Sequence, residues 1–266
     1  MSESSVQTQR IVVALDASPH SYAALEMAAR LARLMGAELH GLFVEDSMLH
    51  QVGHFPFSAE VGAYSATPRA LTQHCIGREF RAVENAAQSR MKQVASQMRV
   101  AWRFEVIQGG VASELKNAAA NAAMLSLGRA GWSQGNRLGS TTAQILTQVD
   151  QPILLSGKKS RWSNRITAIF TGSPASVRAL QQAARLVRQS KGKLTVQSPS
   201  QELVTAAAQQ LATEGVEAYL VVRASNVDWR YELWRIKDGL LVMPKDVVSP
   251  LAGLLDVLDL PILLVP

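Results

Sequence analysis

A glycine-rich segment near the middle of the chain has the residue types of a phosphate-binding loop. Its members are four glycines and two hydroxyl residues: Gly128, Gly131, Gly135, Gly139, Ser140 and Thr141. Glycines let backbone amides approach a ligand closely, and the N-terminus of a helix offers unpaired N–H groups at the positive end of its dipole. The pattern favours a phosphate cradle. A flexible loop without a ligand, in which Ser140 and Thr141 only cap a helix, fits the same residues.

Other chemistries find less support in the sequence. The loop contains no Gly-Lys-Ser or Gly-Lys-Thr and is therefore not a Walker A loop. No general base, pair of Mg²⁺ carboxylates or arginine finger of the kind that phosphoryl transfer needs is evident. The histidines are dispersed, and the two that are four residues apart, His50 and His54, lie in a segment without helical periodicity. We expect a binding protein with no catalytic residue and no metal site.

Alternating strands and helices must position this loop. In the first half, strands are predicted at Ile11–Leu15, Leu39–Val44, Trp102–Ile107, Met124–Leu127 and Pro152–Leu155, and helices after Pro19, at Arg78–Met98, Ala112–Ala123 and Thr141–Val149. Ser18 is the expected N-cap of the first helix, with Pro19 at its first position, and Gly36 is expected to end it. The alternation predicts an α/β fold with a doubly wound parallel sheet and a ligand at the carboxyl ends of its strands.

The chain repeats itself. Shifting the sequence by 155 residues aligns residues 11–39 with residues 166–194 without a gap, and the segment at 151–157 resembles the one at 260–266. Correspondence at both ends predicts two domains of similar topology. The boundary is expected between Ser156 and Asn164, which gives domains of residues 1–157 and 158–266.

The second half is a shortened copy that has lost the loop. Its predicted strands are Ile166–Phe170, Leu194–Gln197, Ala218–Val222, Leu240–Met243 and Ile262–Val265, and its helices are Ser176–Gln189, Glu202–Glu214 and Leu251–Leu258. Thr171 replaces Asp16, Pro244 stands near the place of Gly128, and Ser249 aligns with Ser140. The second half has no counterpart of residues 45–77, which we expect to form either a lid over the ligand or a packing flap.

Composition narrows the class of protein. The sequence is 47% hydrophobic and 18% charged, which is typical of a globular protein. A single cysteine, Cys75, excludes an intramolecular disulfide, and no apolar run approaches the roughly 20 residues of a membrane span. The net charge of +6 is spread along helical stretches and the expected linker, so that neither a nucleic acid nor a membrane is an expected partner. A cytoplasmic protein is expected.

In its opening strand and its glycine-rich loop, the chain resembles the universal stress protein family, in particular its ATP-binding branch. The opening IVVALDAS resembles that family's apolar strand followed by an aspartate and a serine. Gly128-Arg-Ala-Gly131 and Gly139-Ser140 resemble the two ends of its loop, G-x2-G-x9-G-S/T, but the spacer here has seven residues. The resemblance is strong over residues 10–156 and weaker over 165–266. It implies two adenine nucleotide alpha hydrolase-like domains in tandem.

The resemblance also implies roles for individual residues. Asp16 would accept hydrogen bonds from the nucleoside, Val44 would lie beside the adenine, and Leu127 and Gly128 would contact the ribose. The phosphates would be held by the remaining residues of the loop: Gly131, Gly139, Ser140 and Thr141. For Asp16, capping of the following helix is an equally good interpretation. The implied cofactor is ATP, with or without Mg²⁺.

The same resemblance implies how the halves assemble. By this resemblance, a dimer would join the sheets of its two subunits through their last strands. The corresponding strands here are Ile153–Leu155 and Ile262–Val265. Joining them within one chain would cover two sheet edges that are otherwise open to aggregation. We therefore expect an intramolecular pseudo-dimer, present as a monomer or as a further homodimer.

Three functions are compatible with these observations. The first is a stress-response regulatory protein that binds ATP or a related adenine nucleotide in its first domain and signals to an unknown protein partner. The second is an interaction protein of the stress response that binds no nucleotide. The third is an enzyme such as an ATPase, for which hydrolysis is expected to be slow and incidental.

Overall fold

One sheet of ten strands organises the structure, a computed structural model. It describes residues 9–47, 59–61, 68–70, 73–132, 138–158, 160, 162–223, 229–236, 238–247, 252–256, 258 and 260–266. Within these residues all neighbouring strands of the large sheet run parallel except one pair. The chain therefore has an α/β fold with a predominantly parallel sheet, as the strand–helix alternation predicts.

The first half of the chain supplies one side of this sheet. Its strands are β1 Arg10–Ala14, β2 Glu38–Asp46, β5 Trp102–Gly109, β6 Met124–Gly128 and β7 Ile153–Ser156, and β3 Ala59–Val61 pairs separately with β4 Pro68–Ala70. Its helices are α1 Pro19–Met35, α2 Gln73–Met98, α3 Val111–Ala119 and α4 Ser140–Gln148. The strands of the large sheet lie in the order β5-β2-β1-β6-β7.

The second half supplies the other side in the same relative order, β10-β9-β8-β11-β12. The strands are β8 Arg165–Ile169, β9 Lys193–Ser198, β10 Ala218–Val222, β11 Leu240–Pro244 and β12 Ile262–Val265. The helices are α5 Pro174–Ser190, α6 Gln201–Thr213, α7 Trp229–Trp234 and α8 Ala252–Leu255, with a 3₁₀ turn at Lys245–Val247. Strand β12 meets β7 in the antiparallel pair, with Leu263 opposite Leu154.

Both faces of the central strands are covered, which explains why β6, β7, β11 and β12 are buried along almost their whole length. In β1, Ile11 and Val13 pack on one face while Val12 packs on the other, and all three are fully buried. Helices α1 and α2 contribute to the first face, and Leu115 of α3 and Ile145 of α4 contribute to the second. None of the described helices is both long and apolar enough to cross a membrane.

The ends of the first helix in each half follow from local chemistry. The hydroxyl of Ser18 accepts the N–H of Ser21 at 3.2 Å, Pro19 opens α1, and Gly36 ends it with a φ of 65°. These three assignments confirm the sequence prediction. In the second half Ser173 caps α5 in the same way.

Candidate functional site

A cavity of about 600 Å³ opens where the carboxyl ends of β1, β2 and β6 meet the N-terminus of α4. This is the edge at which doubly wound sheets bind their ligands. All of the predicted site residues that the structure describes line this cavity: Asp16, Val44, Leu127, Gly128, Gly131, Gly139, Ser140 and Thr141. Gly135 lies outside the described residues. The structure therefore brings together side chains that are more than 120 positions apart in the chain.

The two carboxylate oxygens of Asp16 face different parts of the structure. Its Oδ1 accepts the backbone N–H of Ser18 at 2.9 Å, just before α1 begins. Its Oδ2 faces the loop, since a Cβ placed on Gly131 would lie 3.1 Å from it. The helix cap itself is Ser18. Asp16 therefore braces the turn after β1 with one oxygen and presents the other to the cavity.

Two glycines of the loop lie in close contact with the turn after β1 and the start of α1. A Cβ on Gly128 would lie 2.8 Å from the carbonyl carbon of His20 and 2.9 Å from the N of Ser21, which is closer than real Cβ contacts. Gly128 therefore lets the start of α1 pack against the end of β6. Gly131 lets the loop pass beside Asp16.

The N-terminus of α4 points at the cavity without a side-chain cap. Gly139 is the N-cap residue and makes no side-chain cap hydrogen bond; its own N–H donates to the carbonyl of Arg129 at 2.9 Å. Ser140 and Thr141 are the first two residues of the helix, so neither is its N-cap. The hydroxyl of Thr142 donates to the carbonyl of Gly128 at 3.0 Å and ties the helix to β6. The first-turn amides are thus positioned as an anion site.

An apolar wall lies opposite this helix end. Leu42 and Val44 of β2, Leu115 of α3 and Leu127 of β6 line the cavity. Leu42, Leu115 and Leu127 are almost completely buried. An apolar wall facing a few convergent polar groups is typical of small-molecule sites, and it suits a planar base at one end and an anion at the other.

Trp132 covers one side of the opening. Its indole Nε1–H donates to the carbonyl of Asp16 at 3.0 Å, while 66% of the residue is exposed. Trp132 lines the cavity together with Gly131. The loop is therefore fastened to the turn after β1 at this point.

The charges near the cavity are few. Among the described lining residues, Asp16 is the one ionisable side chain. Nearby, burial lowers the pKa of His20, Arg129 and Lys158 lower it further, and Asp16 opposes them. His20 therefore favours its neutral form. The described residues contain no cluster of histidine, cysteine or carboxylate side chains that would hold a metal ion.

The corresponding edge of the second half has different chemistry. The Thr171 hydroxyl, at the place of Asp16, donates to the Ser173 hydroxyl at 3.3 Å. Pro244 ends β11 where Gly128 ends β6, and it has no backbone donor. Ser249 lies outside the described residues, as do most of residues 45–77, including the two histidines named above.

The sequence does not predict three residues at or beside the site. Arg129 is buried, its N–H donates to the carbonyl of Ser156, and one guanidinium nitrogen reaches the carbonyl of Leu260 at 3.4 Å. Asp256 of the second half accepts the N–H of Leu138 at 2.8 Å. Thr142 completes the set. No local pattern signals the side-chain contacts of Arg129 and Asp256, because each of these contacts joins one half of the repeat to the other.

Comparison with known proteins identifies the family. A sequence model described as "Universal stress protein family" matches residues 7–156. A search of the curated proteins finds no match.

Two solved structures that cover nearly the whole chain support the same fold. A universal stress protein from Archaeoglobus fulgidus DSM 4304 is 15% identical, with a TM-score of 0.73 over 97% of this chain and 98% of its own. A functionally unknown protein, PA1789, from Pseudomonas aeruginosa PAO1 is 13% identical, with a TM-score of 0.58 over 97% of this chain and 92% of its own. A universal stress protein in complex with cAMP is 19% identical, with a TM-score of 0.39 over 57% of this chain and 98% of its own.

Proposed function

This chain belongs to the universal stress protein family, and on that premise we propose that it is a stress-response regulatory protein that binds an adenine nucleotide, ATP, in the cavity of its first half. One observation carries the proposal: a cavity with an apolar wall ends on the uncapped N-terminus of α4. Binding would change the surface around Trp132 that a protein partner recognises, which is a population shift.

Each part of the cavity suits one part of the nucleotide. The apolar wall at Val44 and Leu127 would hold the base, and the cavity-facing oxygen of Asp16 would accept a hydrogen bond from the ribose. The amides of Ser140, Thr141 and Thr142 would hold the phosphates, because a helix N-terminus stabilises anions. Bound Mg²⁺ would neutralise phosphate charge.

We also propose that the chain is a tandem pseudo-dimer of domains 1–157 and 158–266. The equivalent strand orders of the two halves and the antiparallel β7–β12 pair support it. In this proposal the second domain takes the place of the second subunit of a dimer and binds no nucleotide, and the molecule acts in the cytoplasm without enzymatic activity.

An interaction protein that binds no nucleotide is the second candidate. It is favoured by the exposed aromatic residues of the second half. Tyr231 and Trp234 lie three residues apart on α7 and are 58% and 52% exposed, and Tyr219 on the edge strand β10 is 74% exposed. Exposed aromatic side chains of this kind are enriched in protein interfaces.

Titration calorimetry with ATP, AMP and cAMP tests the nucleotide part of the proposal. Gly131→Val should abolish binding, because its Cβ would press on Asp16 Oδ2 and its branches would enter the cavity. Gly77→Val is the matched control, since a Cβ there meets nothing within 4 Å. Absence of heat and of any thermal shift at about millimolar ligand, with no nucleotide released from the denatured protein, would favour the interaction protein instead.

A further inference from the structure

The connection between β6 and α4 is held from both halves of the chain. On the first-half side, Gly139 N–H donates to the carbonyl of Arg129, and Trp132 donates to Asp16. On the second-half side, the side chain of Asp256 accepts the backbone N–H of Leu138 at 2.8 Å. The last residue before the Gly139 cap is therefore fixed by a carboxylate from the other half.

Asp256 acts on the cavity from outside. It follows directly after α8, whereas the cavity is lined by Leu138, Gly139 and Ser140. Asp256 is absent from the described residues that line the cavity. The carboxylate thus lies behind the loop and does not occupy the space where an anion would bind.

A second contact joins the same two regions. The guanidinium of Arg129, in the connection itself, reaches the carbonyl of Leu260, four residues beyond Asp256. The segment from α8 to β12 therefore contacts the β6–α4 connection at two points, one near each end of that connection. Movement of this segment would displace Leu138 and with it the first turn of α4.

We propose that Asp256 is a positioning residue through which the second half orders the nucleotide site of the first. The proposal rests on the proposed function. It gives the second half, which has lost the glycine loop, a direct role in ligand binding: its carboxylate holds Leu138 so that the amides after Gly139 face the cavity before a ligand arrives. Such preorganisation lowers the cost of binding.

The test compares three variants of the full chain. Asp256→Ala removes the acceptor, Asp256→Asn keeps an Oδ1 acceptor without the charge, and Asp246→Ala removes an exposed carboxylate from the same half as the control. Hydrogen exchange of the Leu138 amide is measured by NMR without ligand, and the affinity for ATP by calorimetry.

Asp256→Ala is expected to speed exchange at Leu138 and to weaken ATP binding, each by about tenfold, the effect of losing one hydrogen bond to a charged acceptor. Asp256→Asn should change the exchange rate and the ATP affinity by a smaller factor, and Asp246→Ala should have the exchange rate and the affinity of the unmodified chain. The exchange result is independent of the nucleotide, so faster exchange at Leu138 supports the contact even where ATP fails to bind and the proposed function falls.

Two results would overturn the inference. Unchanged exchange at Leu138 in Asp256→Ala would show that the carboxylate does not hold the loop. Tighter ATP binding by Asp256→Asn would show that the carboxylate opposes the anion and does not position its site.

Discussion

At the scale of single residues, the aligned segments 11–39 and 166–194 share two positions at which the backbone turns left-handed. One is Ala17 in the first half, with a φ of 57°, and its counterpart Gly172, with a φ of 81°; the other is Gly36, with a φ of 65°, and its counterpart Lys191, with a φ of 50°. Each position therefore has glycine in one copy only. A residue with a Cβ is strained in this conformation, by roughly 1–2 kcal/mol, so each of the two aligned segments retains one strained turn.

Replacing the strained residues should stabilise the protein. We expect Ala17→Gly and Lys191→Gly each to raise the free energy of unfolding by about 1 kcal/mol, after the greater flexibility of glycine in the unfolded chain is subtracted. Urea unfolding measures the change. Gly36→Ala makes the reverse change and should lower the free energy of unfolding by about 1 kcal/mol. No atom lies within 4 Å of the added Cβ, so this loss would come from the backbone conformation alone. Equal stability of all three variants would contradict the strain.

The sequence predicts the cavity-lining residues better than it predicts what holds them. Gly128, Gly139 and Ser140 belong to a contiguous motif, so their grouping follows from the order of the chain. The bond from Trp132 to the carbonyl of Asp16 depends on how two distant turns meet. Such contacts leave no periodic pattern, and only the assembled structure contains them.

At the scale of elements, the strands and the longer helices were predictable because the repeat and the apolar runs mark them. The ends of these elements were less predictable. Strand β2 extends to Asp46, two residues beyond its predicted end, and helix α3 ends at Ala119, four residues before its predicted end. The β3–β4 hairpin and helix α7 were missed. Each of these is short, and a strand of three residues or a helix of six shows too little periodicity to be recognised.

A buried histidine links the edge strand β5 to its neighbour. His40 of β2 has its Nδ1 3.1 Å from Arg103 Nη2 and its Nε2 2.7 Å from Glu105 Oε2. Burial lowers the pKa of His40, Arg103 lowers it further, and Glu105 opposes the shift. The folded state thus binds a proton at His40 less readily than the unfolded state does.

Stability should therefore fall with acidification. Above the usual histidine pKa of 6.5, the contribution of His40 to the free energy of unfolding does not change with pH. Below that pH, His40 takes up a proton more readily in the unfolded chain, and stability is lost. We expect His40→Gln to lose less stability than the unmodified protein between about pH 7.5 and pH 5.5 in urea titrations. His74→Gln, at an exposed histidine, is the control. His20 contributes in the same direction and is present in both variants. Parallel losses in all three proteins would exclude His40 as a cause.

At the scale of the whole molecule, the β7–β12 pair joins the two sides into one sheet. Leu154, Leu155 and their partners Leu263 and Ile262 are completely buried. The shared cores on both faces continue across this junction, since each includes residues of both halves. Separating the halves would expose both strands and the apolar side chains beneath them.

Breaking the junction should cause aggregation. Leu263→Pro removes a backbone donor from an interior strand, which leaves a buried acceptor without its partner at a cost of about 1–3 kcal/mol, and frees two edges. Leu263→Met keeps the donor and nearly the same volume, so it should cost less than about 1.5 kcal/mol. Light scattering and thermal melting distinguish the two. Leu263→Pro with the solubility and melting of the unmodified chain would refute a structural role for the pair.

The junction lies within a single polypeptide, and this has a consequence for how the protein can change. In an assembly of identical subunits, every substitution appears on both sides of the symmetry axis at once. Here the two strands are encoded separately, so either side can acquire a substitution alone while the tether keeps its partner at high effective concentration. The two halves do not dissociate on dilution, so they are not exchanged between molecules. Contacts between the halves, such as Arg129 with Leu260 or Lys245 with Val149, are therefore inherited together.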